Sequence, residues 1–203
     1  MDRAEALARL KTLIGQDLVN LGSAFGVTIW KGDRINKGWA GHTIERHLGL
    51  ALNSSRSPNF GSWELKVVPV KALANGSFKV KETMAITMID PVEVAAKEFP
   101  ESHLFLKLQR MIVVARVFES MAETRSLCHL VAEFDLGDAE LYEQVKADYD
   151  LVRNVIRTKG FHYLSGSMGV LVQPRTKGPG HGSTSRAFYA RAGLVGRILG
   201  ITT

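Results

Sequence analysis

The stretch Trp63-Glu64-Leu65-Lys66-Val67-Val68-Pro69-Val70 is β-branched and alternates as far as Val67, so it reads as a strand, with Pro69 at its end or on an edge. Side chains alternate along a strand with a period of two, which puts Glu64 and Lys66 on one face. A carboxylate beside an ammonium suits a divalent cation with a water held next to it. The carbonyl of Leu65, between them, offers a further oxygen ligand. Taken alone, Glu-x-Lys is also the spacing of an ordinary solvated charge pair.

The neighbouring segments add to that pair. Ser57-Pro58-Asn59 runs as a loop toward the strand and sets Asn59 five residues before Glu64, where a carboxylate usually completes a metal site. Further upstream, the Gly-punctuated Asn36-Lys37-Gly38 precedes a helical pattern over 39–50, with Glu45 mid-helix. A helical acid reaching the same cation would give three protein groups and a lysine around a phosphate.

The rest of the chain alternates in type. Helical spacing covers 3–14 and 16–24, while 31–38 and 51–61 are loops by composition. Asn75-Gly76 marks a turn, 83–89 a strand, 91–97 a short helix and 111–118 a buried central strand. Asp138 caps a long helix reaching Lys159, whose basic end is closed by Gly160. Then come a strand at 168–172, a Gly/Pro/Ser-rich loop at 173–185, a short strand at 187–190 and a helix at 193–199. With no repeat of 20–50 residues and no linker, this predicts an α/β or α+β fold: one compact domain, 1–203, around a central mixed sheet flanked by helices.

Composition narrows the function. Of 203 residues, 45% are hydrophobic and 23% charged, which excludes wholesale disorder. The formal charge of +6 is unevenly placed: all 20 acidic residues lie in 1–150, whereas 151–203 hold eight Lys and Arg and no acid. An acid-free basic segment points to a polyanion, most simply nucleic acid. The single Cys128, in an apolar stretch, excludes a disulfide framework and a multi-thiolate zinc site, and reads as a buried structural thiol in a reducing cytoplasm. No apolar run reaches the length of a membrane span, and the mixed-charge N-terminus is unlike a signal peptide. The six histidines have no zinc spacing and no Walker-type loop is present, so nucleotide hydrolysis has no support.

Three ordered motifs, Asn36-Lys37-Gly38-Trp39-Ala40-Gly41-His42-Thr43-Ile44-Glu45, Ser57-Pro58-Asn59-Phe60 and Glu64-Leu65-Lys66-Val67-Val68-Pro69-Val70, closely resemble the MutH-like branch of the PD-(D/E)xK nucleases. That branch contains a mismatch-repair nicking endonuclease and type II restriction endonucleases. Lys81-Glu82-Thr83-Met84-Ala85-Ile86-Thr87-Met88 is similar to the next strand of the MvaI/BcnI restriction enzymes. Val172-Gln173-Pro174-Arg175 and Arg186-Ala187-Phe188-Tyr189-Ala190-Arg191 look like the paired C-terminal strands of the group. The resemblance covers roughly 31–200.

It implies a restriction-endonuclease-like core over about 31–135, a DNA-recognition portion over about 151–203, and Mg²⁺-dependent hydrolysis that leaves 5′-phosphate and 3′-hydroxyl ends. Glu64 and Glu45 would be metal-site acids, the Leu65 carbonyl a further ligand and Lys66 the site lysine. Asn59 stands where the family has a metal-ligating aspartate. Either a natural aspartate has been replaced, which holds a nuclease on uncut DNA, or the site is naturally neutral and activity is weak or absent. The partner implied is double-stranded DNA carrying a short specific site. The protein would act as a monomer, with a dimer as the alternative, cutting both strands, nicking one, or binding without cleavage.

In this family the polar loop between the last two strands enters the major groove. Gln173, Arg175, Lys177, His181 and Arg186 carry the side chains that read base edges. Arg34, Lys37 and Arg191 are candidates for phosphate contacts. Of Phe188 and Tyr189, alternation sends one to the core. His42 and His47, flanking Glu45, read as packing or surface histidines.

Overall fold

A computed structural model describes residues 1–49, 61–177 and 184–201. The strand read at Glu64 is β3 (Glu64–Ala72), and the largest sheet is built on it. β3 pairs in parallel with β6 (Arg110–Val117), which pairs antiparallel with β7 (Cys128–Asp135). β4 (Phe78–Val80) joins only the far end of β3, giving the order β4-β3-β6-β7. A second, antiparallel sheet has the order β5 (Met84–Met88), β9 (Arg186–Ala190), β8 (Val172–Thr176). The architecture is a mixed α+β fold with a restriction-endonuclease-like core, as expected.

Burial on both faces explains the apolar run in β6, where Met111, Ile112, Val113, Val114 and Ala115 are each fully enclosed. On one face, Leu65, Ile112 and Val114 pack against α1 (Arg3–Lys11), α2 (Leu18–Ala24) and α3 (Trp39–His47), through Leu10, Leu18, Trp39 and Ile44. On the other, Val68, Met111 and Val113 meet α5 (His103–Leu108), α6 (Ala139–Thr158), α7 (Ala192–Leu199) and the second sheet. Each large aliphatic side chain enclosed this way contributes roughly 2 kcal/mol. α2 and α3 approach closely because Gly22 has no side chain: a Cβ there would lie 2.7 Å from Thr43 Oγ1. The side chains of Asp2, Asp17 and Asp138 cap α1, α2 and α6.

Several segments depart from the sequence expectation. The polar run expected as a loop over 31–38 begins with a hairpin of β1 (Trp30–Lys31) and β2 (Arg34–Ile35), turning at Gly32 with φ +58°. α5, β4 and β7 form where no element was read. The strand expected at 168–172 begins only at Val172 and runs through Pro174, inside the segment expected as a loop. β8 is an edge strand, so the proline costs it little. Nearly all of the loop at 51–61, with Asn59, and the loop tip with His181 lie outside the described residues.

Candidate active site

β4 stops pairing with β3 at Pro69, and the chemistry follows from that. The Pro69 carbonyl accepts from the Lys81 N–H at 3.1 Å, but the proline ring has no N–H to return, so the ladder ends there. Residues 64–68 are left with an open edge. Backbone groups two apart point the same way, so the carbonyls of Leu65 and Val67 share the side of the Pro69 carbonyl. Along that edge runs a cleft of about 250 Å³, lined by Leu65, Lys66 and Val67 of β3 and by Lys37, Gly41 and Glu45 of α3 and its approach.

Glu64 lies beneath the cleft and is 1% exposed. Its Oε1 is 2.8 Å from Lys66 Nζ and accepts from Lys107 Nζ at 3.2 Å. Lys66 also donates to the carbonyl of Ile86 at 3.3 Å. That carbonyl is available because Ile86 is the extra residue of a bulge in β5, between the Ala85–Tyr189 and Thr87–Phe188 pairs. One lysine thus ties the first sheet to the second.

Lys107, 6% exposed on α5, is the residue the sequence reading missed. The signal was present: Leu104, Lys107 and Leu108 share the helical spacing of a core face, where a lysine needs a partner. Burial pushes its ammonium below the ordinary lysine range; Glu64 pulls it back up and the charge of Lys66 lowers it again. Lys177, just past the end of β8, has its ammonium lowered by burial and then by the charge of Lys66.

The other expected residues divide into groups. Glu45, Leu65 and Lys66 line one cleft with Lys37. Glu64 joins Lys66 and Lys107 below it. Gln173 is buried in β8, and the exposed Arg175 donates to Thr83 Oγ1 at 2.8 Å, with its guanidinium 5.6 Å from the Tyr189 ring centre. Arg34 is exposed on the β1–β2 hairpin, and half-buried Arg186 lies 3.4 Å from the Thr184 carbonyl. Arg191, expected at a phosphate, donates instead to the carbonyls of Gly166, Met168 and Gly169. Of the paired aromatics, Phe188 is the core residue and Tyr189 is half-buried. His47 packs 3.4 Å from the Arg9 carbonyl.

Among the described residues no group of three or more acids, histidines or cysteines converges on one point. The donors present at the cleft are hard oxygens: the carboxylates of Glu45 and Glu82 in its lining, that of Glu64 below it, and the edge carbonyls. Cys128 is buried on the N-terminal face of the sheet, among Leu10, Leu13 and Val114. This donor set fits Mg²⁺ rather than a thiophilic metal. No described helix is long and apolar enough to cross a membrane.

A family model of the DNA mismatch repair enzyme MutH matches residues 48–137, spanning β3 to β7. The chain is 26% identical over 94% of its length to the type II restriction enzyme Sau3AI of Staphylococcus aureus, of which it spans only 41%. It is 25% identical to the DNA mismatch repair protein MutH of Vibrio campbellii and 26% identical to that of Haemophilus ducreyi, covering 81% and 92% of those proteins.

Proposed function

The chain is related to the MutH-like endonucleases, and we propose that it is a sequence-specific, Mg²⁺-dependent endonuclease of the type II restriction kind. The observation that carries this reading is the Glu64–Lys66–Lys107 cluster beneath an open strand edge, with Glu45 lining the same cleft. Glu64, Glu45 and the Leu65 carbonyl would hold the cation, with Asn59 in the position the resemblance assigns to an aspartate. When bound, Mg²⁺ supplies Lewis-acid polarisation of the phosphoryl oxygen and a water of lowered pKa.

The chain's own residues account for the rest. Lys66, fixed by Glu64 and the Ile86 carbonyl, orients the attacking water and offsets charge developing on phosphorus. Lys107 fixes Glu64 from below and adds a second positive charge. The bulged carbonyl of Ile86 takes a second N–H of the Lys66 ammonium, which fixes its direction beside the carboxylate. Lys37, at the mouth of the cleft, bears on the neighbouring backbone phosphate. Arg175, Lys177, His181 and Arg186 read bases from the second sheet and its loop, whereas Gln173, expected to do so too, is buried in β8 and supports that strand instead.

Two further readings each rest on an observation. The MutH relatives, covered over most of their length, favour a DNA mismatch repair enzyme, which the resemblance makes a nickase acting on one strand. Asn59, which removes a negative charge from the ligand set, favours a DNA-binding protein that does not cut. Incubating supercoiled plasmid with the chain and with Asn59→Asp in Mg²⁺ separates them. Linear product supports the restriction reading, and open circles alone support the nickase. Intact plasmid that is nevertheless bound supports the non-cleaving form.

A further inference from the structure

Asp148 lies mid-way along α6, 3% exposed, on the face formed by Val145, Tyr149 and Val152, where the helical spacing calls for an apolar side chain. Its carboxylate is fully engaged. Oδ1 accepts from the Val170 N–H at 2.7 Å and from Gln144 Nε2 at 3.0 Å. Oδ2 accepts from the N–H groups of Leu171 and Val172, both at 2.7 Å. Three successive amides of the segment entering β8 therefore converge on one carboxylate, at the short distances of charge-assisted bonds.

The same segment is gripped from its other side. Arg191, at the end of β9, donates to the carbonyls of Gly166 at 2.9 Å, Met168 at 3.1 Å and Gly169 at 3.1 Å. Gly169 itself has φ +76°, and a Cβ there would overlap the Val172 carbonyl oxygen and stand 3.2 Å from Asp148 Cγ. The N–H groups of Val170, Leu171 and Val172 thus go to α6 and the carbonyls of Gly166, Met168 and Gly169 to Arg191, and no side chain larger than glycine fits at 169. What leaves this clasp is β8, with Gln173 one residue on and Arg175 three residues on.

We propose that Asp148 and Arg191 are positioning residues for base reading: their clasp fixes where β8 emerges, and hence where the exposed Arg175 meets the edge of a base, with the buried Gln173 seating the strand beneath it. The inference rests on the reading of the chain as a DNA-acting nuclease, and it names the device that sets its specificity. Hydrogen bonds to base edges demand sub-ångström placement, whereas contacts of mobile lysines to phosphates tolerate displacement. Loosening the clasp therefore lowers sequence preference and spares general affinity for duplex.

The test selects bound sequences from a random duplex library, using the chain and the variants Asp148→Asn, Gly169→Ala and Arg191→Lys. Affinity for one arbitrary duplex is measured alongside, with thermal denaturation as the control for folding. The expected result is a loss of about tenfold in preference for the enriched site, the size of one bidentate base contact, with arbitrary-duplex affinity held within about twofold. Unchanged preference with a lowered melting temperature overturns the inference, leaving the clasp a purely structural feature. Should Asp148→Asn fail to fold, Arg191→Lys decides, because it keeps the charge and loses only the planar fork. A parent chain that binds duplex without enriching any sequence also overturns the inference but not the nuclease reading. A parent chain that binds no duplex overturns both.

Discussion

Two ammonium groups share Oε1 of Glu64, so the cluster is net positive before any cation enters, which suits a phosphate arriving at the cleft. Lys107→Met would leave Lys66 as a partner for Glu64 and remove one charge-assisted bond. In an Asn59→Asp background, the plasmid cleavage rate should fall roughly 100-fold, as when one transition-state donor is lost. Urea denaturation should show about 2 kcal/mol less stability. Cys128 offers a second check at this scale. Burial pushes its thiol from 9.0 up to about 11, so the folded chain holds its proton more tightly than the unfolded chain does. The contribution to stability is therefore complete below pH 9 and lost as pH rises from 9 to 11; it is worth about 3 kcal/mol. Stability measured against pH should fall across that window and flatten in Cys128→Ala. The sequence made Glu64, Lys66 and the buried Cys128 legible, because strand alternation and an apolar neighbourhood are local patterns. Lys107 became legible only once α5 was known to face β3, 43 residues back in the chain.

At the level of elements, two irregularities build the cleft: Pro69 ends the β4 ladder, and the bulge at Ile86 turns a carbonyl toward Lys66. Pro69 was visible in the sequence as an edge signal; the bulge was not, because its cause is the register of β9, about a hundred residues later. The missed hairpin of β1 and β2 has two-residue strands without apolar alternation, and β7 blurs its pattern because most of its residues are half-buried. β8 read as a loop on account of Pro174, which an edge strand tolerates. The contact of α2 with α3 gives a prediction of its own. Gly22→Ala should cost about 2 kcal/mol through overpacking against Thr43. Adding Thr43→Ala removes the clashing Oγ1, so the double variant should be less destabilised than the sum of the two single changes. Additive losses in chemical denaturation would mean that the two helices do not meet there.

Across the whole molecule, the acid-free segment 151–203 supplies the end of α6, β8, β9 and α7, while all 20 acids, including Glu45 and Glu64, fall in the first 150 residues. In the proposed nuclease, the division separates a portion that needs carboxylates for a cation from one that lies against phosphate. Some of the basic groups nevertheless serve the fold: Arg153 pairs with Glu98 at 2.7 Å, and Arg191 holds three carbonyls. Duplex affinity should therefore drop steeply with salt, and Lys37→Ala should reduce the slope of log K against log salt by about 1. Arg153→Ala, by contrast, should lower stability and leave the slope unchanged. Whether the cleft along β3 cuts DNA decides the proposed function. The most direct measurement is cleavage of supercoiled plasmid and genomic DNA by Asn59→Asp and by Asn59→Asp with Lys66→Ala, each with Mg²⁺ and with EDTA. Cleavage by the first variant in Mg²⁺ alone, lost in the second, is the predicted result. A folded Asn59→Asp chain that binds DNA and leaves it uncut, or a Lys66→Ala chain that cuts equally well, would contradict it.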